Sequence, residues 1–504
     1  MRNDRWPARI AVLTILSIYA ASLVVRRDIM PDGLFSDTAQ EALRGIYLVQ
    51  GRHFEVITSS IGNSAETLYL YLVGGMVSAF GPTTIAIQLT SWLFALAIIY
   101  LICRLTTCIS ETIPLWVPAL TAVSSLWLFH YARSGLRAIA APFFLALFAM
   151  LLDGAERRAE TWRSILCGAV LGLSVYSYTA CRVLPIAFVV YAMVRCLSEP
   201  EKRESFRRKY LVIAAAAFAT SIPNLLFLAM RPQDFLARGD YVLVGSAWDK
   251  LVNVASTALL PFYYPDRYRD IAGPGFFFDS ISAALTAQGH SPLRIVLIAP
   301  LILGLIQTKR WIVKPAFVFL LVSWISAILI LGVAGPSLTR LFIVLPVYLV
   351  LASLGFWTLV TRVPAARTGL IVLLIWIWFA GDYDYFFGSV DSQVASIYFN
   401  SAATRVGEGA ERLARQGRRV LCVVSRDKDV VVFLTHDESR RVGIVEFYER
   451  PLDPSQIPLS TFQADDLLIE KNESFNWFAG RFPKEWRAGY EDGFYDIRFP
   501  TRGN

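Results

Sequence analysis

Residues 30–72 read "MPDGLFSDTAQEALRGIYLVQGRHFEVITSSIGNSAETLYLYL" and follow directly on an apolar run. The stretch carries carboxylates, a histidine, serines and glycines, although 55% of the chain is hydrophobic and only 17% is charged. A simple hydrophobic anchor has no use for a polar segment of this length. The stretch therefore indicates that the loop after the first apolar run carries a function.

Outward from this loop, the chain of 504 residues is a series of apolar runs. Soluble proteins average about 25% charged residues, and runs of about 18 apolar residues are typical of membrane-spanning helices. The first run is interpreted as a retained span, because "SLVVRRD" (22–28) lacks a signal-peptide cleavage pattern. These features predict an α-helical multi-pass membrane protein. The apolar segments are 9–26, 66–80, 84–104, 115–130, 136–153, 164–179, 182–197, 209–230, 292–307, 312–333, 338–361 and 367–387.

The basic residues predict the orientation of these segments. The short loops richest in Lys and Arg face the cytoplasm in membrane proteins, and here they include "DGAERRAETWR" and "EPEKRESFRRK". The first loop (27–65), the long loop (231–291) and all residues beyond 388 then lie outside. This arrangement requires an odd number of crossings, about eleven, with the short 66–80 segment re-entrant or juxtamembrane. The net charge of +8 is explained by these anchoring loops, so no nucleic-acid partner is predicted.

The composition changes abruptly near residue 388. "SAATRVGEGAERLARQG" is typical of an amphipathic helix, and "RRVLCVVS", "RRVGIVEFY", "DDLLIEK" and "GFYDIRF" are typical of strands. The sequence thus predicts a transmembrane catalytic domain at 1–387 and a small extracytoplasmic α/β domain at 388–504. The cysteines show no metal-binding spacing.

Charged residues gather beside the spans at the predicted outer boundary. A carboxylate there can take a proton from an attacking hydroxyl, and arginines can bind a phosphate and stabilise it as it leaves. The candidates are Asp37, Glu41, Glu66, Arg133, Arg137, Arg182 and Arg340.

Each candidate has a structural alternative. Asp37 is placed to act as a helix N-cap, and Glu41 to pair with Arg44 along a solvated helix face. The arginines are placed to act as snorkelling anchors, although arginine outside runs against the positive-inside trend. A translocase or transporter is a second function class. It is disfavoured because the cores of the predicted spans hold almost no ionisable residues.

Several motifs, in order, resemble bacterial GT-C membrane glycosyltransferases. They are similar to the branch that groups glycosyltransferase family 39, the protein O-mannosyltransferases and the aminoarabinose transferases of lipid A. The resemblance covers about residues 10 to 400. It is carried by "FSDTAQEALRGIYLVQGRHF", "GNSAETLYLYLVGGMVSAFG", "HYARSGLRAIAAPFFLALFAMLLDGA", "GLSVYSYTACRVLP", "PNLLFLAMRPQDFLARGDYV", "PSLTRLFIVLPVYLVLASLG" and "DYDYFF".

The resemblance implies a hexosyl- or pentosyltransferase of the inner or plasma membrane, with about 11–13 transmembrane helices. Its donor is a polyprenyl-phosphate-linked sugar, its acceptor is a lipid, protein or polysaccharide, and its active site is extracytoplasmic. Asp37 takes the position of the general base, and Glu66 matches a second acidic position for acceptor or metal. Arg133, Arg137 and Arg340 match phosphate-binding positions.

The long loop 231–291 is expected to form part of the acceptor cleft or a lid. The family commonly has Asp-Glu in the first loop, whereas this chain has Asp37-Thr38. The difference leaves open a changed acceptor, a site that needs no divalent metal, or a non-catalytic GT-C-like binding protein. Glu41 compensates for the missing carboxylate if 37–45 is helical, since residues i and i+4 share a helix face. An O-antigen ligase or polymerase is a further enzymatic alternative.

Overall fold

The computed structural model describes residues 5–25, 33–51, 55–58, 65–158, 160–232, 246–262, 295–363, 365, 367–387, 401–424, 428–446, 465–470, 487–491 and 494–498. The chain forms two compact units. The first comprises Met1–Val25, Arg52–Tyr71 and Thr90–Ser389, and the second comprises Arg26–Gly51, Leu72–Leu89 and Val390–Asn504. A boundary at residue 388 alone therefore does not describe the packing, because two segments near the N-terminus pack with the C-terminal part.

Long helices dominate the chain up to residue 387. In chain order they are α1 (Arg5–Val24), α2 (Ser36–Gln50), α3 (Leu68–Phe80), α4 (Thr84–Ile109), α5 (Trp116–Val123), α6 (Leu126–Ser134), α7 (Ala140–Arg157), α8 (Thr161–Ser174), α9 (Val183–Ser198), α10 (Arg203–Met230), α11 (Ala247–Leu259), α12 (Ile295–Ile306), α13 (Thr308–Trp311), α14 (Pro315–Val333), α15 (Leu338–Leu341), α16 (Leu345–Arg362) and α17 (Arg367–Phe387). Four 3₁₀ turns lead into spans, at Arg137–Ile139, Thr179–Arg182, Pro200–Lys202 and Phe342–Val344. A short antiparallel pair, β1 (Ile57–Thr58) and β2 (Ala65–Glu66), lies between α2 and α3.

The helices confirm the predicted multi-pass architecture. Within the described residues, six helical segments are long and apolar enough to cross a membrane: Thr84–Ile109, Arg137–Arg157, Thr179–Ser198, Pro200–Met230, Pro315–Val333 and Leu338–Arg362. The segment predicted at 66–80 becomes α3, whose 13 residues extend only about 20 Å. That length is too short for a perpendicular crossing, in agreement with the re-entrant or juxtamembrane interpretation.

One predicted segment has a different form. The run 115–130 was expected to be one continuous span, but it is divided into α5 and α6. The Ser125 side chain accepts a hydrogen bond from the Leu128 backbone N–H and caps the start of α6. Gly135 then ends α6 with φ of +78°, a conformation that a side chain disfavours. Local capping chemistry therefore outweighs the continuous apolar pattern.

Small residues allow helices of the first unit to pack closely. A Cβ atom on Gly172 of α8 would lie 1.8 Å from Thr220 Oγ1 of α10, and one on Gly355 of α16 would lie 1.8 Å from the Pro300 carbonyl oxygen of α12. These approaches need glycine at both positions, because any larger residue would overlap the neighbouring helix. They fix the spacing between α8 and α10 and between α12 and α16.

The C-terminal part of the second unit is an α/β fold. Its elements are α18 (Ser401–Arg415), β3 (Val420–Val424), α19 (Lys428–Leu434), β4 (Val442–Glu446), β5 (Asp466–Glu470), β6 (Arg487–Glu491) and β7 (Phe494–Arg498). The sheet order is β4-β3-β5-β7-β6, with β3 parallel to β4 and β5, and β7 antiparallel to β5 and β6.

The sequence predicts this domain well. The helix and all four predicted strands are confirmed, while α19 and β6 were missed. Helix α2 of the first loop is also confirmed, which satisfies the condition that 37–45 be helical. It packs against α19 within the second unit.

Candidate functional site

A buried charged cluster centres on Glu66, where β2 leads into α3. The Glu66 side chain is 2% exposed and lies within the first unit. Its Oε1 atom accepts hydrogen bonds from Arg182 Nη2 at 3.0 Å and from Thr179 Oγ1 at 2.7 Å. Its Oε2 atom accepts one from Arg137 Nη1 at 3.4 Å. The structure thus brings together three of the predicted site residues.

The backbone explains why these side chains converge. Arg137 opens the 3₁₀ turn before α7, and Arg182 closes the turn before α9 and is the N-cap residue of that helix. Thr179 begins the same turn as Arg182. Consequently the cluster joins the starts of two apolar helices to the segment that leads into α3.

The cluster has a defined electrostatic state. Burial alone would raise the pKa of Glu66, but the guanidinium groups of Arg137 and Arg182 and the Thr179 hydroxyl outweigh it and hold the pKa below its usual range. Glu66 is therefore ionised at neutral pH. Arg137 also lies over the Tyr178 ring, 5.6 Å from its centroid. Arg137 is therefore a buried member of this cluster and does not act as a snorkelling anchor.

Arg340 lies close to the same turn. The helix that carries it, α15, contacts the turn Thr179–Arg182. Ser337 caps α15 by accepting from the Arg340 backbone N–H, and the half-buried guanidinium donates to the Ala334 carbonyl oxygen at 3.2 Å. Arg340 thus adds a positive charge to the end of the first unit where Arg182 lies.

Arg133 is fully buried in α6 and binds another helix end. Its Nη1 atom donates to the carbonyl oxygens of Ser22, Leu23 and Val25 at 3.0, 3.0 and 2.8 Å. These are carbonyls at the C-terminal end of α1, where intrahelical donors are lacking and positive charge is favoured. The geometry gives Arg133 a structural contact, and a phosphate-binding role for it stays a prediction.

The two candidate carboxylates of α2 belong to the second unit and differ in exposure. Asp37 is exposed in the first turn of the helix, whereas Glu41 is 6% exposed. The N-cap residue is Phe35, so the alternative that Asp37 is the N-cap is wrong. The alternative of a solvated Glu41–Arg44 face is also wrong, since both residues are buried.

The surroundings of Glu66 do not suit a metal ion. Its carboxylate oxygens face two guanidinium groups and a hydroxyl donor, and added positive charge there would be repelled. Among the residues that the structure describes, no group of three His, Cys, Asp or Glu side chains could hold a metal ion.

A second buried cluster, centred on Glu156, was not predicted from the sequence. Glu156 Oε1 accepts hydrogen bonds from the Tyr191 and Tyr210 hydroxyls, and Arg195 Nη2 donates to Oε2 at 3.1 Å. Arg137 precedes α7 and Glu156 lies in its last turn, so the two clusters are about 27 Å apart along that helix. This cluster joins α7, α9 and α10 at the end opposite Glu66. The predicted lid, 231–291, lies mostly outside the described residues.

The helical unit with its apolar spans and the α/β fold of the second unit define a multi-pass membrane protein. Over 98% of both chains, the structure matches the crystal structure of ArnT from Cupriavidus metallidurans bound to undecaprenyl phosphate, with a TM-score of 0.53 and 11% identity. ArnT is an aminoarabinose transferase. The apo crystal structure of the same protein matches over 97% of both chains, with a TM-score of 0.53 and 11% identity.

A further match is the Archaeoglobus fulgidus oligosaccharyltransferase in complex with zinc and sulfate. It covers 90% of this chain and 68% of that one at 10% identity, and its TM-score of 0.44 is too low to carry an argument. At these identities the likeness to ArnT shows the fold. No protein-family model matches the sequence, and no curated protein matches it.

Proposed function

We propose that the protein is an integral-membrane glycosyltransferase that uses a polyprenyl-phosphate-linked sugar and acts on an extracytoplasmic acceptor. The observation that carries the proposal is the convergence of Arg137 and Arg182 on Glu66, with Arg340 on a neighbouring helix, in a chain that has the ArnT fold throughout its length. The ArnT crystal contains undecaprenyl phosphate, which has the phosphate group that such arginines would bind.

The arginines are assigned to the donor phosphate. A guanidinium group presents paired donors that match phosphate oxygens, and it stabilises the negative charge that grows on the leaving phosphate. Arg340 is the side chain best suited to this role, because its only hydrogen bond from the guanidinium within the described residues is to a backbone carbonyl. Glu66 is assigned the role of holding Arg137 and Arg182 in place.

Asp37 is assigned the role of general base. In the proposed step the acceptor hydroxyl oxygen attacks the anomeric carbon, and its proton passes to the Asp37 carboxylate. The bond from the anomeric carbon to the phosphate oxygen breaks, and its electron pair leaves with the phosphate. This direct displacement inverts the anomeric centre. The exposed side chain of Asp37 supports the assignment, because a base must be accessible to the acceptor. The buried Glu41 is assigned a supporting role in α2.

The test is transfer of radiolabelled sugar from a panel of polyprenyl-phosphate sugars to membrane acceptors. Wild type is compared with Asp37→Asn and with Asp32→Asn, a carboxylate five residues earlier, at matched folded fraction. We expect transfer by wild type and Asp32→Asn, and a loss of at least about 100-fold in Asp37→Asn. Equal transfer by all three proteins would remove Asp37 from the mechanism. No transfer from any donor, with donor binding retained, would favour the non-catalytic binding protein.

A further inference from the structure

Helix α2, which carries Asp37, is tied to the C-terminal α/β domain by two hydrogen bonds on either side of that residue. The buried Leu34 backbone N–H donates to Thr404 Oγ1 of α18 at 2.9 Å. Gln40 Nε2 donates to Asp429 Oδ2 of α19 at 2.8 Å. All of these residues belong to the second unit. The first turn of α2 is thus held from both ends by a domain whose sequence begins more than 300 residues later.

The first contact satisfies a buried backbone N–H of Leu34. It immediately precedes the N-cap residue Phe35, where a backbone N–H has no intrahelical acceptor. Leu34 is 2% exposed and Thr404 is 6% exposed, so water cannot readily replace the threonine hydroxyl. Loss of that acceptor would leave a buried donor without a partner, which is the costly case.

The second contact is charge-assisted. Gln40 lies about one helical turn after Asp37, and Asp429 lies in the first turn of α19. A hydrogen bond to an ionised carboxylate is shorter and stronger than one between neutral groups. Helices α2 and α19 also contact each other, and α19 buries Val430, Val431 and Phe433.

A third contact restrains α2 from a different element. A Cβ atom on Gly74 of α3 would lie 2.1 Å from the Gly45 carbonyl oxygen of α2, so the two backbones are in direct contact. Gly45 and Gly74 both lie in the second unit. With its start and its later turns both fixed, α2 has little freedom to shift or rotate.

From these contacts we infer that the C-terminal domain positions the general base. Thr404 and Asp429 are positioning residues that fix the first turn of α2, so that the Asp37 carboxylate meets the acceptor hydroxyl in one geometry. Small displacements of a catalytic group lower rates steeply, because proton transfer needs hydrogen-bond reach. The inference rests on the proposed function, and it gives the α/β domain a task in catalysis.

The first experiment compares Thr404→Val with Thr404→Ser in the full-length protein. Valine keeps the shape of the side chain but removes the hydroxyl that accepts from Leu34. Serine keeps that hydroxyl. Thr435→Val is the matched control, because Thr435 is a buried threonine of the same domain that follows α19 directly, and its hydroxyl donates to the Val431 carbonyl oxygen of that helix. Amide hydrogen exchange is measured for residues 34–50 and 420–424, and kcat and KM are measured with the donor that supports transfer.

We expect about tenfold faster exchange in residues 34–50 of Thr404→Val, with wild-type exchange in 420–424. We also expect kcat to fall about tenfold at matched folded fraction while the donor KM stays unchanged. Thr404→Ser and Thr435→Val should behave as wild type. Faster exchange with wild-type kcat would overturn the inference, as would faster exchange that extends to 420–424, which would mean general unfolding of the domain.

The second experiment tests the Gln40–Asp429 contact by rescue. Gln40→Glu sets two carboxylates against each other and should lower kcat, and Asp429→Asn in the same chain should restore it. A double variant no better than Gln40→Glu would overturn the inference. Asp37→Asn is measured beside these proteins. Full activity of Asp37→Asn would refute the proposed base, whereas an inactive Asp37→Asn with a fully active Thr404→Val would refute only the positioning role.

Discussion

The Nη2 atom of Arg182 lies 3.0 Å from the Oε1 atom of Glu66. The two residues are more than 100 positions apart in the sequence and come from different helix starts. The other carboxylate oxygen faces Arg137, so one buried anion fixes two guanidinium groups. The arrangement makes Glu66 important for stability as well as for the position of the arginines.

Glu66→Ala should destabilise the protein by about 3 kcal/mol, because removing one partner of a buried ion pair leaves charge without compensation. The measurement is thermal unfolding of the detergent-solubilised protein by intrinsic fluorescence. Glu204→Ala is the control. Glu204 forms exposed pairs with Arg207 and Arg208, and its loss should leave the unfolding midpoint nearly unchanged, because surface ion pairs contribute little. Equal effects of the two substitutions would contradict the buried cluster.

The same cluster predicts a pH dependence. The folded-state pKa of Glu66 is held below its usual 4.5, so its contribution to stability is present above pH 4.5 and is lost as the pH falls through the folded pKa. The stability difference between wild type and Glu66→Gln should therefore be constant from about pH 7 to 4.5 and shrink below that. Unfolding midpoints of both proteins across this range provide the test. A difference that stays constant into strong acid would argue against an ionised Glu66.

The sequence predicted the helices far better than it predicted the contacts of the charged residues. Apolar length and basic loops determine where spans lie, and short runs between polar turns predicted four of the strands, Val420–Val424 among them. By contrast, nothing in the local pattern shows that Thr179 donates to Glu66, because that contact depends on how separate helices pack.

The solvent exposure of individual side chains could not be predicted from the sequence either. Asp37 and Glu41 share a helix face by spacing, yet one is exposed and the other buried, because α2 packs within the second unit. Strand β6, with its sequence "RAGYE", lacks a run of β-branched residues, and it is paired antiparallel with β7. Tertiary contacts therefore determine which side chains are exposed and whether a segment of weak propensity forms a strand.

Gly355→Ala should destabilise the first unit by about 2 kcal/mol, because the new methyl group would overlap the backbone of α12 at Pro300. Gly75→Ala is the matched control. A Cβ atom there meets nothing within 4 Å, and alanine favours a helix interior over glycine by up to about 1 kcal/mol. The two unfolding midpoints should move in opposite directions. A neutral Gly355→Ala would mean that α12 and α16 are farther apart than described.

Arg133→Met should destabilise the protein by about 1–3 kcal/mol, since three carbonyl oxygens at the end of α1 would lose their donor. Arg157→Met is the comparison, because Arg157 is more exposed, at 38% of its side chain. Unfolding and the donor KM are both measured. A lower midpoint with an unchanged donor KM at matched folded fraction would assign Arg133 to structure. A raised KM with a wild-type midpoint would instead support phosphate binding.

Arg340→Gln gives the sharpest test of the donor phosphate site. Within the described residues the Arg340 guanidinium donates one hydrogen bond, to the Ala334 carbonyl oxygen, so loss of the side chain's charge should change stability by less than about 1 kcal/mol. Loss of a charge-assisted contact to phosphate should raise the donor KM about tenfold or more. Arg362→Gln, an exposed arginine at the far end of α16, should leave KM unchanged. A wild-type KM in Arg340→Gln would place the phosphate elsewhere, whereas a raised KM confined to Arg340→Gln would locate donor recognition beside the Glu66 cluster.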